Sequence, residues 1–104
     1  MFKITPAAAK QIKVAAQQGG TEGMPLRLAV REKSDGSFDY KMGFDEATDS
    51  DLRVVSEGIE VVMDPAFERY LEECTLDYVE LNPGNWQFIF LNPADPSYVP
   101  PKEH

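Results

Sequence analysis

Two arms of strict alternation stand out along the chain. Leu26, Leu28 and Val30 alternate with Arg27, Ala29 and Arg31, and Phe38, Tyr40, Met42 and Phe44 alternate with Asp39, Lys41 and Gly43. A period of two sets one face of each strand in a core and the other in water. Between the arms, Glu32-Lys33-Ser34-Asp35-Gly36-Ser37 is polar and carries the Asp-Gly pair that turns favour, so the spacing predicts a hairpin. Turns held on rigid strands are where function concentrates, which makes this one the first candidate.

The flanking pattern predicts further elements. Residues 2–4 suit a short strand. Thr5 is placed to cap a helix with Pro6 at its first position. That helix runs over 7–17 with Ala8, Ala9, Ile12, Ala15 and Ala16 as a narrow apolar stripe, and Gly19-Gly20 ends it. After the first hairpin comes an acidic loop over 45–51. Residues 53–56 and 59–63 flank Glu57-Gly58 as a second hairpin. Asp64-Pro65 repeats the cap-plus-proline signal before a second helix, in which Phe67, Tyr70, Leu71 and Cys74 fall at i, i+3, i+4 and i+7. Residues 75–81 and 86–91 form a third hairpin around Asn82-Pro83-Gly84-Asn85, where Pro then Gly suits a type II turn. Both alternating sets of 86–91 are largely apolar, which calls for a covering layer or a neighbouring subunit. From Asn92 onward the proline-rich sequence predicts an extended, loose tail. The sum is an α+β fold of about two helices and three hairpins, with a domain over 1–96 and a flexible Pro-rich tail over 97–104.

Composition narrows the function. At 104 residues the chain is one domain, and 42% apolar content suits a globular one. Its 10 basic residues face 18 carboxylates, a formal net charge of −8, which argues against nucleic acid and anionic membranes as partners. No apolar run approaches the ~20 residues of a membrane span. The first residues do not read as a secretory signal, so a cytoplasmic location is expected. One cysteine, Cys74, and one histidine, His104, cannot build a Cys/His zinc site, and a catalytic Cys–His or Ser–His–Asp set would have to recruit the terminal His104. No enzyme is expected.

Carboxylates are the remaining candidate chemistry. Asp35 with Asp39 offers oxygen donors for a divalent ion. The spacing lacks the Asp/Asn alternation of a calcium loop, and an ordinary solvated turn is the plainer reading. Asp45, Glu46, Asp49 and Asp51 are denser, yet short acidic runs are usually solvated loops. Tyr40, Trp86, Phe88 and Phe90 sit at strand spacing, which favours core or an oligomer interface over a ligand pocket.

Six segments then carry a resemblance: ITPAAAKQIK at 4–13, PLRLAVR at 25–31, YKMGFDEATDSD at 40–51, EGIEVVMDP at 57–65, LDYV at 76–79 and FIFLNP at 88–93. In this order and spacing the chain resembles the HesB/IscA-like A-type iron–sulfur carriers over roughly 2–96. The resemblance implies a compact β-sandwich-type α+β domain, homodimers or tetramers, and a place in iron–sulfur cluster assembly. It also implies iron or a cluster bound through three cysteines, one in the turn of the first hairpin and two in a Cys-Gly-Cys near the C-terminus. Laid on this chain, those positions fall on Asp35, Val99 and Pro101. Cluster irons are held by soft thiolates; Asp35 supplies a hard oxygen, and Val99 and Pro101 supply no side-chain ligand. Cys74 occupies none of the three positions and reads as a small buried hydrophobe on the second helix. No cofactor is expected by family ligation, so iron or a cluster would need other ligands. The expected function is a non-enzymatic accessory protein or degenerate carrier, whose partners are a second copy, a cysteine-bearing relative or another iron–sulfur assembly protein. The alternatives are a carboxylate metal-binding protein using Asp35 and Asp39, with or without Cys74, and a structural or small-ligand module that retains only the fold.

Overall fold

The computed structural model describes residues 1–96. Val99, Pro101 and His104, and with them the tail assigned to 97–104, lie outside the described residues. In chain order the elements are β1 (Lys3–Ile4), α1 (Pro6–Gly19), β2 (Leu26–Glu32), β3 (Phe38–Phe44), β4 (Leu52–Ser56) and β5 (Ile59–Met63). A 3-10 turn (Pro65–Phe67) then runs into α2 (Glu68–Leu71), followed by β6 (Thr75–Asn82) and β7 (Asn85–Leu91).

Local chemistry accounts for most boundaries. The Thr5 hydroxyl oxygen accepts the Ala8 N–H at 3.2 Å, satisfying a helix donor that would otherwise lack a partner, and Pro6 occupies the first turn. Gly20, at φ 71°, closes α1 in a left-handed conformation that disfavours a β-carbon. Ala8, Ala9 and Ile12 are buried on the predicted stripe, while Ala15 and Ala16 are half-buried. Between β4 and β5, Glu57 and Gly58 both have positive φ, 52° and 75°, the pair a two-residue type I′ turn needs.

Two sheets result. The four-stranded one runs β3-β2-β5-β4, and the three-stranded one runs β1-β6-β7. In the first, Leu28 lies opposite Met42 and Val30 opposite Tyr40, so the alternation of both arms lands on one inner face. β2 then pairs parallel with β5 and joins the first two hairpins. In the second, β1 pairs parallel with the start of β6, and β6 pairs antiparallel with β7. Side chains from both sheets and from α1 meet in one cluster that includes Ile4, Ile12, Leu28, Val61, Met63 and Leu76.

Two stretches differ from their sequence pattern. The second helix ends at Leu71, so Cys74 sits beyond it, at the entrance to β6. Strand β1 competes for this backbone: the Lys3 N–H donates to the Cys74 carbonyl and the Thr5 N–H to the Leu76 carbonyl, both at 3.0 Å. Those bonds tie the backbone from Cys74 onward into a sheet with β1. Residues 92–96 also depart from the loose tail expected from Asn92 onward, because Asn92 is 1% and Asp95 7% exposed.

Candidate functional site

The turn between β2 and β3 is built by its own residues. The Lys33 N–H donates to the Ser37 carbonyl at 2.7 Å, and the Gly36 N–H to the Lys33 carbonyl at 2.9 Å. Gly36 has φ 87°, a conformation that L side chains rarely adopt. One Asp35 carboxylate oxygen accepts the Ser37 N–H at 2.9 Å and the Ser37 hydroxyl at 2.6 Å. Those two donors hold the Asp35 carboxyl below its usual pKa. Asp39 is instead engaged across the strand pair, 3.2 Å from the Arg31 guanidinium of its register partner. The two candidate ligands thus have separate partners, Ser37 and Arg31. Among the described residues, no group of three or more His, Cys, Asp and Glu side chains could hold a metal ion.

The turn abuts the chain that follows β7. A β-carbon built at Gly36 would lie 3.9 Å from Cγ of Pro96, ordinary contact distance. Residues 92–96 are anchored there by a buried polar joint. Asn92 donates its side-chain N–H to the Tyr70 carbonyl at 2.6 Å, and its side-chain oxygen accepts the Ala94 N–H at 3.1 Å. The Asp95 N–H returns to the Asn92 carbonyl at 3.0 Å, and the Tyr40 hydroxyl donates to the Asp95 carboxylate, also at 3.0 Å. The Tyr40 ring stacks on Phe90 with centroids 4.4 Å apart. Burial, together with the Asp95 charge, pushes the Tyr40 phenol above its ordinary pKa. The joint therefore links the inner face of β3 to the end of β7 and the end of α2, and it fixes Pro96 beside the turn. Sequence reading missed it. The available signal was Asn92-Pro93-Ala94-Asp95, a side chain that can cap its own turn.

Cys74 is fully buried at the entrance to β6. Burial first, and then the Asp95 charge, pushes its thiol up to about 12. A thiol held in that form is neither a nucleophile nor a ready metal ligand at neutral pH. The predicted aromatic set also resolves into ring pairs: Tyr40 on Phe90, Tyr78 on Trp86 at 5.6 Å and Tyr78 on Phe88 at 4.8 Å.

The acidic loop over 45–51 is more than a solvated run. Arg27 reaches out from β2 and grips both Asp51 oxygens at 2.8 and 2.6 Å, Asp45 at 2.7 Å and the Glu46 carbonyl at 2.8 Å. Asp51 also accepts the Thr48 N–H at 2.7 Å. Arg27 and that N–H hold the Asp51 carboxyl well below the usual range. No described helix is long and apolar enough to cross a membrane.

Known proteins share this fold. A family model described as iron-sulphur cluster biosynthesis matches residues 1–95. The iron-sulfur cluster insertion protein ErpA of Pseudomonas syringae pv. tomato is 34% identical over 93 residues, 88% of this chain and 79% of its own length. The crystal structure of IscA with its 2Fe–2S cluster superposes with a TM-score of 0.75 at 26% identity, covering 89% of this chain and 86% of that one. SufA of Escherichia coli, involved in biosynthesis of iron–sulfur clusters, gives a TM-score of 0.70 at 26% identity with the same coverage. The six sequence segments, the two-sheet fold and these matches agree: the chain belongs to the iron-sulphur cluster biosynthesis family, among the HesB/IscA-like A-type carriers.

Proposed function

We propose that this protein serves iron–sulfur cluster assembly as a non-enzymatic accessory, a degenerate carrier that keeps the fold of its family without its cysteine-ligated cluster. On this reading it works in the cytoplasm as a homo-oligomer, or beside a cysteine-bearing relative or another assembly protein. One observation carries the reading. The turn bearing Asp35 packs against Pro96, where the chain leads toward Val99 and Pro101. All three ligand positions implied by the family resemblance therefore belong to this junction or to the chain leading from it, and none of them is a thiol. The single thiol of the chain is sealed in the core at Cys74. An iron–sulfur cluster is thus a cargo of the family that the donors of this junction do not fit, since cluster irons want soft sulfur. A carboxylate iron site at Asp35 and Asp39 gains no support from their engagement with Ser37 and Arg31.

The test is anaerobic reconstitution with ferrous iron and sulfide, followed by absorption spectra and by iron and sulfide counts after desalting. The expected outcome is no cluster band and no retained iron, in wild type and in Cys74→Ser alike. A band that survives desalting in wild type and disappears in Cys74→Ser would overturn the reading. Iron retained without sulfide and lost in Asp35→Ala would favour the carboxylate site.

A further inference from the structure

Where an edge of one sheet meets an edge of the other, the core opens to water. The Ile4 N–H donates to the Ser56 hydroxyl oxygen at 3.0 Å and ties β1 to β4. Beside that tie, a pocket lies between the start of the chain, β4 and α2. Phe2, Met63 and Leu71 form its floor; all three belong to the core cluster and are at most 2% exposed. Leu52 and Val54 of β4 line it half-buried. Its charged side chains are Glu68 and Glu72, both exposed and a helical turn apart. Among the described residues neither carboxylate has an ion-pair partner. Tyr70 lies on the opposite face of α2, where its ring packs on Phe38 and its carbonyl accepts from Asn92. The pocket therefore faces away from residues 92–96 and the chain that leads on from them.

We propose that this pocket docks one apolar side chain of a partner protein, on a segment whose flanking residues are Lys or Arg. The inference rests on the accessory reading above, which calls for a partner, and names the surface that receives it. Size argues against a free small molecule: at about 220 Å³ the pocket is below the roughly 300–1,000 Å³ of such sites. Charge argues against a lone cation, because exposed carboxylates hold one weakly. A side chain carried on a basic segment uses both features. It fills the apolar floor as an anchor, and its neighbours bring cations to the carboxylate rim. Charge also decides against a second copy, since each copy carries a net charge of −8 and the two repel, whereas the same charge draws in a basic partner.

Methyl NMR of the full chain, titrated with the capped peptide Gly-Lys-Lys-Phe-Lys-Lys-Gly, tests this without any variant. Binding is expected to move the methyl signals of Leu52, Val54, Met63 and Leu71. The same peptide with Ala in place of Phe, and one with Glu in place of every Lys, are expected to leave those signals in place. Glu68→Gln/Glu72→Gln should weaken binding roughly fivefold or more, since two rim charges are lost. Glu22→Gln/Glu32→Gln removes as much charge elsewhere and should leave binding unchanged. No movement of these methyls, or movement elsewhere instead, would overturn the pocket. Equal binding of the Ala peptide, or equal loss in both double variants, would reduce it to general charge attraction and overturn it too. Equal binding of the Glu peptide would overturn the basic partner. Binding that appears only after residues 97–104 are removed would give the pocket to the tail. Each of these failures leaves the accessory reading standing, which the reconstitution decides separately.

Discussion

The polar turn after β2 and the acidic loop after β3 both offer carboxylates in the sequence, and the molecule treats them differently. The 45–51 loop is tied from outside, by an arginine on a neighbouring strand that engages two carboxylates and a carbonyl. Its Asp51 side chain is 5% exposed. Among the described residues, the hydrogen bonds that hold the turn over 33–37 run among its own residues, and its Asp35 is exposed. A carboxylate gripped by a partly shielded guanidinium is architecture, because removing either partner strands the other. A carboxylate that merely closes its own turn is replaceable. Replaceability is what allows the residue there to change without loss of the fold.

Arg27→Met attacks the tied loop and is expected to give the largest loss of thermal stability among these variants. Hydrogen exchange should rise across 45–51 and stay unchanged across 33–37. The same variant has a pH signature. The Asp51 carboxyl is depressed in the folded state, so its contribution is complete above about pH 4, the usual carboxylate range, and is lost as pH falls through the depressed value. Without Arg27 that depression shrinks to what the Thr48 N–H supports, and acid unfolding should begin at higher pH. Gly36→Ala tests the turn through its backbone. The new methyl meets Pro96 only at ordinary contact distance, so the φ of 87° dominates, at a cost of about 1–2 kcal/mol in chemical denaturation. Asp35→Ala should have the smallest effect, with a melting curve close to wild type. If it melts as early as Arg27→Met, the contrast between the two loops is wrong.

Local signals carried much of the fold. The period-two arms, the Thr5-Pro6 cap, the Glu57-Gly58 turn and Asn82-Pro83-Gly84-Asn85 each act within a few residues, so each was legible. Gly84 indeed takes φ 79°, as a type II turn requires. What escaped was non-local. The grip of Arg27 on Asp51 spans 24 positions, and the Tyr40 bond to Asp95 spans 55. The bounds of α2 were not legible either. The spacing of Phe67, Tyr70, Leu71 and Cys74 is helical, yet α2 ends at Leu71 and Cys74 leads into β6, which pairs with β1. Periodicity reports which residues will be buried and is silent about which backbone will compete for them. Cys74 was therefore rightly read as buried and wrongly placed on a helix. The turn at Asp35 was legible as a place, and its neighbour Pro96 was not, because nothing in either segment names the other.

The short pairing of β1 with β6 bears on how the chain is made. The four-stranded sheet is drawn wholly from residues 26–63, so its partners leave the ribosome close together and can pair early. The three-stranded sheet joins Lys3–Ile4 to residues from Thr75 onward, and the Thr5 hydroxyl that caps α1 also donates to Asp77, 72 positions away, at 2.7 Å. Closing so long a loop costs entropy before any contact repays it. Of the strands described, the one synthesised first is therefore among the last to find its place. Until β6 emerges, the apolar stripe of α1 waits without its final cover, and the nascent chain is most open to the wrong partners during that interval.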